Sequence, residues 1–341
     1  MSGREVWSRT PLRLGLIGGG TDLREFASRQ GGLVVNATID RFVYVRITED
    51  SSGEIEFHSY DTGEKSLFSD TENSGNMPLF RSSLLRIMEI SGNVKIPPMK
   101  IESFSDSPVG SGLGTSSSLC VGLITALSEW FQINMDSYET AELAYKVERG
   151  DCGFSGGMQD QYAASFGGIN LMTFNEDGTV DVKKLDVDEN IKTQIQASIV
   201  LFFTGTSRDS SLIIDQQSSS LKSSEDKART ALSKMKSLVP DFCDSLLKGD
   251  ITAMSEIMDT CWEAKKLTSD AVSNHNIDSL IQEARSNGAA SAKVSGAGGG
   301  GFVLFFVPFE KRNRLINWLR DMRGIVMTCT FCDEGSKSWS S

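Results

Sequence analysis

The sequence predicts an α+β chain in two parts, residues 1–195 and 196–341. Three observations lead there. Strand-like and helical signals alternate through the first part. After the buried-strand signal "QASIVLFF" the texture becomes polar, Ser/Lys-rich and helical, which sets a boundary near 190 to 200. The end of the chain then reads helix, strand, loop, strand, helix, strand, an order that suits helices layered on an antiparallel sheet.

The elements follow in order. "LVVNATIDRFVYVRITED" is rich in branched and aromatic residues and alternates at Phe42, Tyr44 and Arg46, so it reads as one bent strand or two consecutive ones. "GEIEFHSYD" is a further strand with Gly53 at its entry. "PLFRSSLLRIMEIS" has helical spacing through Leu84, Ile87 and Met88, and "PMKIESFSDS" returns to a strand. "LCVGLITALSEWF" is apolar nearly all round, which predicts a central buried helix. Asp136 followed by Glu139 gives a capping-box start to the next helix, and Gly150 is its expected stop. A loop, a short helix from about Gln159 and a strand from about Ile169 complete the first part.

Composition narrows the function. The 341 residues are 39% hydrophobic and 23% charged with seven prolines, enough to build a full core rather than a disordered chain. A net charge of -11 with no Lys/Arg run excludes the cationic footprint of a nucleic-acid binder. The first residues have no apolar core before a cleavage site, and no apolar run approaches the ~20 residues of a membrane span, so a cytoplasmic protein without a membrane partner is expected. Cys329 and Cys332 form one isolated CxxC, too little for a zinc site. His58 and His275, the only histidines, have no partner pattern for a triad or a metal site.

Three glycine-rich stretches remain: "PLRLGLIGGGTD" at 11–22, "PVGSGLGTSSS" at 108–118 and "KVSGAGGGGF" at 293–302. The middle one stands between a predicted strand and the apolar helix. Backbone amides left uncovered by glycine, followed at once by a helix N-terminus, favour a bound phosphate; an ordinary loop with a Ser/Thr cap is the alternative. The loop is not a Walker A sequence, since no Gly-Lys-Ser/Thr follows it, and a dinucleotide fingerprint would stand in the first βαβ unit.

These three motifs, in this order, resemble the galactokinase, homoserine kinase, mevalonate kinase and phosphomevalonate kinase group of small-molecule kinases, over most of the chain. The resemblance implies an N-terminal domain like domain 2 of ribosomal protein S5, a ferredoxin-like C-terminal domain, and an active site in the cleft between them. It further implies that Pro108, Gly110, Ser111, Gly112, Leu113, Gly114, Thr115, Ser116 and Ser117 wrap the phosphates of ATP. Ser116, which could also be a simple cap, and Glu148 in "KVERGD" match the group's Mg²⁺ ligands. Asp160 matches the aspartate that acts as base or orients the acceptor hydroxyl. Arg13 matches the arginine that pairs with it and steadies the transferring phosphoryl group, and a purely structural ion pair is the competing role.

Thr21 and Asp22 match the pair that receives sugar hydroxyls, while Gly298 and Gly299 belong to the loop that closes over substrate. Galactokinases carry Glu-His where this chain has Gly19 and Gly20, so galactose is disfavoured and room is made for another sugar. The first motif and "GGLVVNATIDRFVYV" look most like members that phosphorylate the anomeric hydroxyl of heptose 7-phosphate on the route to GDP-heptose and surface glycans. Such a sugar phosphate needs its own anion site, for which Arg208 in "TGTSRDS" ranks first, ahead of Arg24, Arg29, Arg149 and Lys293. Another sugar-1-kinase, such as an L-fucose kinase, or a non-catalytic sugar- and ATP-binding relative are the alternatives.

Overall fold

The computed structural model describes residues 4–68, 77–93, 95–205, 210–222 and 226–341. Arg208, with Thr206 and Ser207, lies outside the described residues.

The first part begins with a long antiparallel pair, β1 (Glu5–Ile17) and β2 (Gly32–Glu49), joined by a glycine turn and the short helix α1 (Arg24–Gln30). The expected bent strand is one strand: opposite the step from Pro11 to Leu12, the register skips from Phe42 to Ile39, so Asp40 and Arg41 are extra residues in β2. Such a bulge bends and twists a strand. It lets β2 serve two neighbours. Its later half pairs with β5 (Met99–Ser105), which lies parallel to β3 (Ile55–Ser59), and β3 in turn pairs antiparallel with β4 (Lys65–Leu67). Its earlier half pairs with β6 (Ile169–Phe174), followed by β7 (Val180–Lys184).

Besides α1, the first part carries α2 (Pro78–Ser91), α3 (Thr115–Phe131), α4 (Ser137–Tyr145) and α5 (Gln159–Phe166). α3 is central, as its all-round apolarity requires. Val121, Ile124 and Leu127 sit in a core with Val45 and Ile101 of the sheet and Leu84 and Ile87 of α2. The capping box at Asp136 and Glu139 is present. Gly150 does not stop the helix. After Tyr145 it widens into a π-helix over Lys146–Asp151, and the amide of Cys152 bonds the carbonyl of Val147 five residues back.

After α6 (Glu189–Ser198), β8 (Ile199–Phe203) opens a second, antiparallel sheet in the order β11-β8-β10-β9, with β9 (Ser291–Val294), β10 (Phe302–Phe306) and β11 (Ile325–Met327). The polar stretch between β8 and β9 forms α7 (Ser210–Lys222), α8 (Asp226–Ser237), α9 (Val239–Lys248), α10 (Ile251–Lys266) and α11 (His275–Ser286), and α12 (Arg312–Arg320) follows β10. β8 and β10 are buried on both faces, which explains their unbroken apolar runs. Val200, Phe202, Val303 and Phe305 pack with α11 and α12. Leu201, Phe203, Leu304 and Phe306 join a core that reaches Leu12, Leu14 and Leu16 of β1. One hydrophobic cluster therefore links the two sheets.

The end of the chain departs from the sequence reading, which placed all of 196–341 in the second part. β12 (Lys337–Ser340) pairs with β1, and the amide of Cys332 bonds the carbonyl of Thr38, so this tail belongs to the first sheet. No helix among the described residues is long and apolar enough to cross a membrane.

Candidate active site

The β5–α3 loop is fixed from both sides. The carbonyl of Leu113, itself a core residue, accepts from the amide of Arg13 at 3.0 Å. The amide of Phe302 donates to the carbonyl of Ser111 at 2.9 Å, and Ser295 Oγ donates to that of Gly112 at 2.9 Å. The third glycine motif thus packs on the second. At Gly112, with φ of 79°, a Cβ would stand 2.6 Å from the Ser295 carbonyl oxygen, so both the backbone angle and the contact require glycine. Helix α3 then starts without a side-chain cap: Gly114 is its N-cap residue, and the hydroxyls of Ser116 and Ser117 point elsewhere. Its first amides remain open to an anion.

Those hydroxyls meet Glu148. Ser116 Oγ donates to Oε1 at 2.8 Å, Ser117 Oγ to Oε2 at 2.7 Å, and Gln161 Nε2 to Oε2 at 2.6 Å. Glu148 is 1% exposed, so these donors and Arg149, 3.2 Å away, offset the cost of burying its carboxylate. The π turn at Lys146–Asp151 carries this residue beside the start of α3, and Arg86 of α2 grips Asp151 in two 2.7 Å bonds at the far end of that turn. Irregular turns of this kind recur at functional sites.

Arg13, near the end of β1, donates from Nε and Nη2 to both oxygens of Asp160 at 2.7 and 2.6 Å, and from Nη1 to the carbonyl of Gly112 at 2.6 Å. Asp160 stands in the first turn of α5. This two-toothed pair sits where two cavities meet. One, about 400 Å³, is lined by the glycine loop, Thr115 to Ser117, Glu148, Arg149, Gly296 and Ala297. The other, about 80 Å³, is lined by Gly19, Gly20, Asp22, Gly157, Gln159 and Lys265. Arg13 and Asp160 line both. A third space of about 330 Å³ continues from the first past Gly110, Thr115, Ser116 and Phe154, and has a mostly apolar wall that includes Val43, Pro78, Leu79 and Leu119. Its size and lining suit a nucleobase.

Asp22 is 2% exposed and accepts from the amides of Gly20 (2.9 Å) and Gln159 (3.1 Å) and from Gln159 Nε2 (3.1 Å). Gly157 makes room for it: a Cβ there would lie 1.9 Å from Asp22 Oδ2.

The structure brings together Arg13, Gly19, Gly20, Asp22, Gly110, Ser111, Gly112, Gly114, Thr115, Ser116, Ser117, Glu148 and Asp160. Other expected residues are placed differently. Thr21 is fully buried and its hydroxyl is engaged by the carbonyls of Gly18 and Leu33, so it shapes the turn and lines neither cavity. Gly298 and Gly299 are buried under Val272; Gly296 and Ala297 are the loop residues that face the cavities. Pro108 is exposed and closes a turn onto Ser111 outside the cavities. Lys293 is buried against the carbonyls of Gly15 and Leu16, not turned to an anion site. Arg24 and Arg29 are exposed on α1, whereas Arg149 lines both cavities at the Arg13–Asp160 junction. His58 is buried, with Nδ1 making no hydrogen bond and standing 4.0 Å from Glu102 Oε1.

Lys265, Gln159 and Gly157 were missed. Lys265 had a signal: with Met254, Met258 and Cys261 it continues the buried stripe of α10, a position where lysine is out of place.

Comparison with known proteins agrees with this geometry. Residues 79–168 match the model of the GHMP kinases N terminal domain, and residues 243–322 that of the GHMP kinases C terminal domain. The chain is 38% identical over 339 residues to a D-glycero-alpha-D-manno-heptose 7-phosphate kinase from Campylobacter jejuni, covering 98% of this chain and 99% of that one. It is 25% identical to a galactokinase from Pyrococcus furiosus over 90% of each chain. A solved structure described as a D-glycero-D-manno-heptose 1-phosphate kinase from Bacteriodes thetaiotaomicron superposes with a TM-score of 0.83 and 35% identity over 98% of both chains. With both of its halves matched and almost its whole length shared with one member, the chain belongs to the GHMP family of small-molecule kinases.

Proposed function

We propose that this enzyme transfers the γ-phosphoryl group of ATP to the anomeric (C1) hydroxyl of D-glycero-D-manno-heptose 7-phosphate, giving the 1,7-bisphosphate for GDP-heptose and surface-glycan synthesis. The observation that supports this most is the Arg13–Asp160 pair at the junction of a nucleotide-sized cavity and a small polar one. The choice of acceptor leans on the Campylobacter jejuni relative.

The glycine loop and the open start of α3 bind the triphosphate. Ser116 and Glu148 would hold Mg²⁺: both are hard oxygen donors, and two protein ligands suffice for an ion that keeps waters and phosphate oxygens in its shell. When bound, the ion neutralises charge on the β- and γ-phosphate oxygens. The acceptor lies in the smaller cavity with hydroxyls on Asp22. Each carboxylate oxygen of Asp160 has two lone-pair sites, and Arg13 takes only one on each, so Asp160 can still accept from the C1 hydroxyl. As that oxygen bonds to the γ-phosphorus, the bond to the β–γ bridging oxygen breaks, ADP leaves and the proton passes to Asp160. Arg13 stabilises the charge that develops between them. All six cysteines are free, in keeping with a reducing compartment, and the reading places the enzyme in the cytoplasm.

The test is ADP release from Mg-ATP with heptose 7-phosphate, mannose 6-phosphate, free L-fucose, free galactose and mevalonate. Turnover confined to the heptose phosphate is expected; preference for a free sugar would replace the acceptor, and silence across the panel would overturn the reading.

Gly157→Ala follows as a prediction. Because the new methyl group overlaps Asp22 Oδ2, the carboxylate must move, and kcat/KM for the acceptor should fall roughly a hundredfold. The KM for ATP should hardly change. Steady-state kinetics with each substrate varied in turn checks both.

A further inference from the structure

Two lysines lie buried behind the smaller cavity. Lys265, in the last turn of α10, is 6% exposed, and Lys293, in β9, is 8% exposed. Both are held by carbonyls: Lys265 Nζ donates to Gly296, and Lys293 Nζ to Gly15 at 2.5 Å and Leu16 at 3.4 Å. Among the described residues neither ammonium has a carboxylate at ion-pair distance. Burying a cation without one is costly, and placing two together is more so.

Lys265 has more donors than this packing uses. An ammonium carries three N–H groups, and Gly296 takes one. The side chain also lines the same cavity as Arg13, Asp22, Gln159 and Asp160. We infer that Lys265 is an acceptor-binding residue whose remaining donors take an oxygen of the substrate, an anionic one by preference, with Lys293 behind it as a second positive charge. This rests on the kinase reading above.

The groups around Lys265 are Cys261 from its own helix, Arg13 from β1, Asp22 from the following turn, Asp160 from α5 and Lys293 from β9. Burial pushes Lys265 down to about 8, and burial with the neighbouring Lys265 charge pushes Lys293 down to about 7. The free enzyme thus holds this charge incompletely near neutrality. An anionic oxygen favours the protonated lysine, so acceptor affinity is greatest at low pH and falls as pH rises through about 8. A phosphate on the substrate titrates near pH ~6, below that window.

The test compares the full-length enzyme with Lys265→Met, measuring kcat and both KM values from about pH 6.5 to about pH 9. The acceptor KM should rise roughly tenfold to a hundredfold, the ATP KM should stay within about twofold, and the pH dependence of the acceptor KM should flatten. An unchanged acceptor KM, or an equal rise for ATP, would overturn the inference and leave Lys265 as a prop for the Gly296 loop.

Should the variant not fold, wild-type calorimetry decides. Heptose 7-phosphate binding near pH ~8, in two buffers of different ionisation enthalpy, should show net proton uptake, and none would overturn the inference. If heptose 7-phosphate is not turned over, the functional reading fails first, and the same comparisons are made with the acceptor that the panel identifies.

Discussion

Asp160→Asn should lower kcat by roughly a hundredfold to ten-thousandfold, the range for loss of a positioned acid–base group. The substitution removes the charge and turns an N–H-bearing nitrogen toward one of the two Arg13 donors, where a carboxylate oxygen now accepts at 2.6 to 2.7 Å. Under the proposed mechanism, basicity toward the C1 hydroxyl and the fixed attitude of Arg13 are lost together. The KM for ATP should move far less, because the loop that cradles the triphosphate hangs on main-chain bonds from Arg13 N and Phe302 N. Arg13→Met should cost a similar factor. The double variant should be little worse than either single one, as for residues that act as a unit. Single-turnover kinetics with saturating ATP measures all three. Near-normal turnover in Asp160→Asn would sink both the basic and the orienting role, and strict additivity would separate the two residues.

Glu148→Gln is the second large effect. The buried carboxylate accepts three hydrogen bonds, from Ser116, Ser117 and Gln161. Glutamine keeps the shape but brings two N–H donors against them. Gln161 can relieve part of the conflict, since its Oε1 is buried without a partner and a flip of the amide would let it accept. The fold should therefore survive while the proposed Mg²⁺ site loses the carboxylate assigned to it. The Mg²⁺ concentration for half-maximal rate should rise by at least the roughly tenfold to hundredfold that loss of even an outer partner costs. Initial rates across an Mg²⁺ titration, with the melting temperature as control, give the answer. An unchanged Mg²⁺ requirement would make Glu148 a structural anchor of α3 alone.

Much of the architecture was legible from pattern. α2, α5 and the start of β6 stand where spacing and capping placed them, because each is decided by neighbours a few residues away. The signals failed where distant contacts decide. Gly150 looked like a stop, yet the π turn continues past it because Arg86 holds Asp151 and the donors of α3 hold Glu148. The tail was counted with the second part, yet β12 completes the edge of the first sheet beside β1. In the site, residues inside quoted motifs were found, but motif membership did not separate Ser116, which faces the cavity, from Thr21, whose hydroxyl is spent on backbone.

The resemblance of the motifs to a kinase group implied the pairing of Arg13 with Asp160; by itself the sequence determined the α+β class, the order of most elements and the three glycine motifs. These depend on local periodicity, backbone freedom at glycine and residue type. Only the tertiary structure decided that the second and third motifs interlock at Gly112 and Ser295, that Asp22 fits because Gly157 has no side chain, and that a lysine from α10 reaches the smaller cavity beside Arg13 and Asp160. The physical reason is distance along the chain: Arg13 and Asp160 are 147 residues apart, Lys293 and Gly15 are 278, and such contacts are set by how two sheets share one core.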